Sequence, residues 1–118
     1  METNCVYLDT DTALARLRGN RTLLARMLKM FLANEDLDAL EPTLQSGDYE
    51  KAGNVAHAVK GMTGNLAMTE LFESSNALMV QLRTLEAPPE EMVTRYRDAL
   101  AKTREHVQKT IEELSSQA

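Results

Sequence analysis

The chain has 118 residues, of which 43% are hydrophobic and 26% are charged, and its formal net charge is −5 at pH 7. This length suits a single domain, and the thirteen basic residues lie scattered among eighteen acidic ones, so we expect no basic patch for nucleic acid or an anionic membrane. The single cysteine and the lack of a cleavable leader or of an apolar run of about 18 residues favour a cytoplasmic protein without a disulfide.

Helix-forming residues dominate the composition, since Leu, Ala, Met, Glu, Lys and Arg are abundant while aromatic residues make up 4% of the chain. We therefore predict an all-α fold, namely an antiparallel up-and-down four-helix bundle with a short additional N-terminal helix. The sequence is interpreted as one domain over residues 1–118, with an ordered core at about 7–114. The predicted helices cover residues 11–18, 20–46, 48–66, 69–85 and 89–114.

Local signals mark the ends and the interior of these helices. Asp48 and Thr69 are the predicted N-caps of the third and fourth helices, because their side-chain oxygens can accept hydrogen bonds from the first backbone amides. Pro42 lacks the amide hydrogen that a helix interior uses, so we expect a kink or a short break in the second helix at this residue. The clearest loop is the Ala-Pro-Pro segment at 87–89.

The third predicted helix has one apolar stripe and, opposite it, a histidine. Apolar residues recur at intervals of three and four, which predicts that this stripe faces the core; they are Ala52, Val55, Val59, Met62 and Leu66. At about 100° per residue, His57 projects from the opposite side of the helix. We therefore predict that the imidazole points away from the bundle interior.

Three glycines surround His57 on the same projection, although each costs the helix about 0.8 to 1 kcal/mol relative to alanine. They lie within about 40° of the histidine and are predicted to be on the solvent side. Their missing side chains lower the surface, so that a second macromolecule can approach the imidazole. The residues predicted to contact such a partner are Gly53, Asn54, Gly61 and Gly64.

Lys60 lies three residues after His57, so the two side chains are neighbours on the helix surface. Its ammonium can pair with an anion on the imidazole, and in the empty site its charge favours the neutral, nucleophilic ring. An exposed histidine, a cation and cleared access suit phosphoryl transfer. His106 has Lys109 at the same spacing but no such glycines around it, and we interpret it as a solvated surface residue.

The segment HAVKGMTGNL at 57–66 resembles the phosphoacceptor segment of histidine-containing phosphotransfer (Hpt) domains. The stretches YLDTDTALARLRGNRTLLARMLKMFL and LDALEPTLQSGDYEKAGNVAH are similar to the family's entry helices and to its approach to the histidine. The resemblance covers most of residues 7–85, and the last helix matches only in length and periodicity.

This resemblance implies that His57 is the phosphorylated residue, Lys60 the supporting cation and Gly61 the residue that leaves room for the partner. The sequence departs from the family pattern at two neighbouring positions. Ala67 stands where the family often has the glycine that ends the histidine helix, and Met68 stands where a small residue is usual.

The resulting hypothesis is a monomeric phosphorelay carrier that takes a phosphoryl group from a receiver-domain aspartyl phosphate and passes it to another receiver. Its expected partners are receiver domains of response regulators and of a hybrid histidine kinase. No nucleotide-binding loop or kinase signature is present, so we do not expect an enzyme. We expect no cofactor or metal in this chain, and Mg²⁺ on the partner receiver.

Two other functions are alternatives to the phosphorelay carrier. The first is a helical bundle that docks protein partners through the same face without being phosphorylated; such a role requires neither His57 nor Lys60. The second is a metal-dependent enzyme inside the bundle, which would use glutamate three residues before each histidine. Asn54 and Thr103 occupy those positions, so the metal hypothesis is poor.

Overall fold

Six helices make up the regular structure of residues 5–116, the part of the chain that this computed structural model describes. They are α1 (Thr10–Arg16), α2 (Arg21–Leu32), α3 (Asp36–Gln45), α4 (Tyr49–Asn65), α5 (Thr69–Leu82) and α6 (Glu90–Ser116). No strand occurs within this range, so the all-α prediction is confirmed. The two ends of the predicted domain, residues 1–4 and 117–118, lie outside the described residues.

The second predicted helix is in fact two helices, and the break lies before Pro42 rather than at it. α2 ends at Leu32, and the Asn34 side chain accepts a hydrogen bond of 2.8 Å from the backbone amide of Asp36 at the start of α3. A short polar side chain that bonds its own backbone in this way competes with helix continuation. α3 then runs through Pro42 unbroken, although the proline leaves the carbonyl of the exposed residue Asp38 without its helical donor.

The helices pack as a bundle in which α4 lies between α3 and α5, while α6 packs against α5 and α2. The core between them consists mainly of leucine, and its largest fully buried apolar side chains include Leu24, Leu28, Phe31, Leu37, Leu40, Leu71, Leu78 and Leu82. The packing partners fit a four-helix bundle in which α2 and α3 together take one helix position. The antiparallel order of the helices stays a prediction.

The end of the histidine helix α4 is fixed by the N-terminal part of the chain. The Arg16 guanidinium donates a 2.6 Å hydrogen bond to the Gly64 carbonyl, and the Asp9 amide donates one of 3.1 Å to the carbonyl of Ala67. Ala67 has a φ of 57°, the left-handed conformation in which helices commonly end. The chain thus adopts at an alanine the turn for which glycine is the usual residue.

The two N-cap predictions have different outcomes. The Asp48 side chain accepts a 3.1 Å hydrogen bond from the Lys51 amide and caps α4, as predicted. Thr69 is instead the first helical residue of α5, and the cap position before it is occupied by Met68, which is buried and makes no side-chain cap. Burial of the Met68 side chain in the core therefore determines where this helix begins.

Candidate functional site

α4 is rotated relative to the prediction, and this rotation determines what surrounds His57. Ala52 and Val59 are buried as predicted, but the other buried positions of the helix are Ala56 and Thr63, while Val55 and Met62 are only partly buried. At 100° per residue, the centre of the buried face is displaced by about 50° from the predicted stripe. His57 is exposed as predicted, but it lies on the flank towards α5 rather than directly opposite the core.

The His57 ring contacts α5 through a sulfur atom. Its Nδ1 lies 3.2 Å from Sδ of Met79, and a thioether sulfur can accept a hydrogen bond but cannot donate one. A hydrogen bond at this contact requires the tautomer with the ring hydrogen on Nδ1, which leaves the lone pair of Nε2 free. In this tautomer the imidazole is held at one nitrogen and nucleophilic at the other.

A groove of about 280 Å³ opens beside the imidazole between α4 and α5. It is lined by Tyr49, Glu50, Gly53, Asn54, His57, Met79, Leu82, Arg83 and Leu85. Asn54 is exposed, as the prediction of a partner-contacting residue requires. The groove places an imidazole, an amide and a guanidinium around one opening, together with the Glu50 carboxylate.

The three glycines of α4 have different surroundings. A Cβ atom at Gly61 would meet nothing within 4 Å in the described part of the chain, and the residue is exposed, so the predicted solvent-side position is confirmed there. At Gly53 a Cβ atom would lie 3.5 Å from Cβ of Leu82, and at Gly64 it would lie 3.0 Å from the ring of Phe72. Gly53 and Gly64 thus have only part of the predicted exposure: both are half-buried, because the rotation of α4 turns them towards α5.

Two cations lie near the imidazole. The Lys60 ammonium is 5.8 Å from the centroid of the Phe72 ring, and this half-buried lysine forms no ion pair within residues 5–116. The Arg83 guanidinium lies 4.0 Å from the same Met79 sulfur that contacts His57, and it too has no ion pair in the described part of the chain. Arg83 lines the groove and Lys60 does not, so the two charges flank the imidazole on different sides, and no ion pair within residues 5–116 neutralises either of them.

Sequence reasoning missed the contribution of α5 and its C-cap, namely Phe72 and Met79 in the helix and Arg83 at the cap. These residues recur at intervals of seven and four, so they share one face of the helix. That periodicity could have grouped them. It could not have shown that this face of α5 meets His57, because the meeting depends on how two helices pack.

His106 is not the solvated residue that was predicted. It is half-buried, its ring stacks on Tyr7 with the centroids 5.3 Å apart, and Sγ of Cys5 lies 3.6 Å from its Nδ1. The N-terminal segment covers this part of α6, a contact between distant stretches of sequence that helical periodicity does not reveal. The two histidines still differ in their surroundings, since His57 lines the groove and His106 does not.

Two further findings concern other classes of site. Among residues 5–116, no group of three or more His, Cys, Asp or Glu side chains is arranged to hold a metal ion. Over the same range, no helix has both the length and the hydropathy needed to cross a membrane.

Comparison with known proteins gives one match. The family model described as the Hpt domain matches residues 26–117. The match begins within α2 and includes α6, whereas α1 lies outside the matched residues. From the sequence, α6 resembled the family only in length and periodicity. Neither the curated proteins nor the solved structures that were searched gave a match.

Proposed function

The chain belongs to the Hpt domain family, and from this premise we propose that His57 accepts a phosphoryl group from a receiver-domain aspartyl phosphate and passes it to another receiver aspartate. Hpt domains act as phosphotransfer carriers in two-component signalling; they are not kinases, and they interact with receiver domains. What the proposal adds is the residue that carries the group, and the observation that supports it is the exposed imidazole held through Nδ1.

The transfer step follows from the tautomer of His57. The Nε2 lone pair attacks the phosphorus atom of the aspartyl phosphate, the N–P bond forms as the P–O bond to the aspartate breaks, and the carboxylate leaves with that electron pair. The Nδ1 hydrogen stays on the ring beside Met79, so the step moves no proton. Attack by an aspartate of the second receiver reverses the same bond changes.

Such a transfer requires alignment and charge stabilisation more than covalent chemistry from the carrier. The transition state is loose, with negative charge spread over the oxygens of the transferred group. We propose that Lys60 and Arg83 stabilise this charge on the side of the carrier, and that the receiver brings Mg²⁺, which neutralises charge on the same oxygens. Gly61 leaves the approach to the ring open, as in-line attack requires.

The expected partners are the receiver domains of response regulators and of a hybrid histidine kinase. The proposed docking surface is the face of α4 around His57, where the prediction named Gly53, Asn54, Gly61 and Gly64; of these, Gly53 and Asn54 line the groove. Of the four residues, Asn54 and Gly61 are exposed and are the residues we propose to contact a receiver directly. We propose that the carrier acts as a monomer in the cytoplasm, and that α4, α5, α6 and the α2–α3 pair form an antiparallel four-helix bundle.

Labelling from a phosphorylated receiver tests the proposal. A panel of receivers carrying radioactive aspartyl phosphate is incubated with the chain, and the product is checked for a phosphate that is acid-labile and stable in alkali, as a phosphohistidine should be. His57→Gln should abolish the label, and His106→Gln is the matched control that should retain it. Docking without phosphorylation would leave the wild-type chain unlabelled by every receiver, and that outcome would reject the carrier.

A further inference from the structure

Phe72 reaches from the first turn of α5 across to α4, and Gly64 makes room for it. Two atoms of its ring, Cε1 and Cδ1, lie 3.0 and 3.1 Å from the position that a Cβ atom would occupy at residue 64. Real Cβ contacts are seldom so short. The ring therefore occupies the space that any larger residue at position 64 would need.

The same ring lies under the ammonium of Lys60. The Nζ atom is 5.8 Å from the ring centroid, within the range over which the negative face of an aromatic ring attracts a cation. Lys60 is one turn after His57 and one turn before Gly64, so the three residues follow each other along one flank of α4. No carboxylate pairs with Lys60 in residues 5–116. The attraction that the structure shows for this ammonium is therefore its contact with the Phe72 ring.

We propose that Phe72 is a positioning residue, which holds the Lys60 ammonium on the flank of α4 that also carries His57. This inference rests on the proposed function, and it identifies what orients the supporting cation. A lysine side chain has four flexible carbons and a strongly hydrated charge, so without a contact its ammonium samples many positions. The ring restricts that freedom before the partner arrives, and preorganised charge is what a loose transition state uses.

Gly64 then makes room for a side chain of this chain rather than for a partner. The sequence suggested that all three glycines clear a docking surface, but only Gly61 borders open space. Gly64 admits the ring, and the ring orients the lysine. In α4, Gly61 thus leaves room for the partner and Gly64 leaves room for the Phe72 ring.

The contact itself can be measured without any phosphoryl transfer. In the NMR spectrum of the whole chain, the ring current of Phe72 should move the ε-methylene protons of Lys60 upfield. Phe72→Leu should remove this shift, and Phe72→Tyr, which keeps an aromatic face, should retain it. Lys102 is a matched control, because its ammonium lies 5.7 Å from the Tyr7 ring and should respond to neither change.

The role in transfer is tested by a double-mutant cycle on the rate of phosphoryl transfer to and from His57. Phe72→Leu should slow transfer by about threefold, the factor that an exposed cation–π contact is worth. Phe72→Tyr should transfer at nearly the wild-type rate. In a Lys60→Met background, Phe72→Leu should cause no further loss, because there is no longer a charge to orient.

Three results would overturn the inference. One is a wild-type Lys60 without an upfield shift, and another is an equal loss from Phe72→Leu in both backgrounds, which would make the ring a packing residue only. The third is a wild-type chain that no receiver labels, which rejects the proposed function and with it any role in transfer. In that last case the Lys60 shift would still be present, so the two failures are distinguishable.

Discussion

Replacing Gly61 by leucine should separate stability from phosphoryl transfer. The residue is exposed in the fourth turn of α4, and a Cβ atom there would meet no atom of residues 5–116 within 4 Å. Leucine is a better helix former than glycine by about 0.7 kcal/mol. With an unfolding entropy of about 2.1 cal/mol/K per residue, this gain corresponds to a melting temperature about 3 °C higher for a chain of 118 residues.

The same substitution should impair transfer. The new side chain stands one turn from His57, on the side from which a receiver would approach. A displacement of about 1 Å can cost on the order of a hundredfold in a reaction that depends on alignment, so we expect the transfer rate to fall by at least about tenfold. Calorimetry and single-turnover labelling from a phosphorylated receiver measure the two effects separately.

Alanine at Gly61 and at Gly64 forms a matched pair. Gly61→Ala fills open space and should raise the melting temperature, whereas Gly64→Ala forces the Phe72 ring to move and should raise it less or lower it. A lower melting temperature for Gly61→Leu together with unchanged transfer would refute this reasoning, because Gly61 would then be a packing residue and not part of the docking surface.

Three other predictions concern the bundle. Thr103→Val should raise the free energy of unfolding by about 1 kcal/mol in a denaturant titration, because the Thr103 hydroxyl is buried and has no hydrogen-bond partner among residues 5–116. A lower stability would mean that the hydroxyl is bonded. Tyr96→Phe should lower the free energy of unfolding by about 1 kcal/mol, because the buried Tyr96 hydroxyl donates a 2.9 Å hydrogen bond to the Leu37 carbonyl. An unchanged free energy of unfolding would contradict a stabilising role for this hydrogen bond. The hydrogen bond from Arg95 holds the pKa of Glu70 below its usual value near 4.5. The pair therefore stabilises the fold above pH 4.5, and this stabilisation is lost as the pH falls through the lower pKa of the folded state. Arg95→Gln should flatten the dependence of the unfolding free energy on pH below 4.5, and an unaltered dependence would exclude the pair as its cause.

The features of the site that lie within α4 could be predicted from sequence. A period of 3.6 residues was enough to predict that His57 is exposed and that Gly61 borders open space. The side-chain oxygen of Asp48 was enough to predict that this residue caps the helix. These features depend on one helix and its local surroundings. Likewise, composition alone indicated an all-helical chain.

The features that sequence reasoning missed depend on contacts between elements. The apolar stripe fixed the buried face only to within about 50°, because α4 packs against both α3 and α5 and buries small residues such as Ala56 as well as large ones. That rotation brings Met79 to the imidazole and Phe72 to Gly64. Similarly, the break before α3 follows from one side-chain hydrogen bond at Asn34, a local alternative to helix that the apolar pattern does not register.

The position of the phosphoryl group on the imidazole is the most direct test of His57 as the acceptor. The chain labelled with ¹⁵N-histidine is phosphorylated by a receiver, and ³¹P–¹⁵N coupling then identifies the nitrogen that is bonded to phosphorus. Because Nδ1 faces the Met79 sulfur and Nε2 keeps the free lone pair, the coupling should appear at Nε2 of His57 and be absent in His57→Gln. Coupling at Nδ1, or at either nitrogen of His106, would contradict the proposed carrier site.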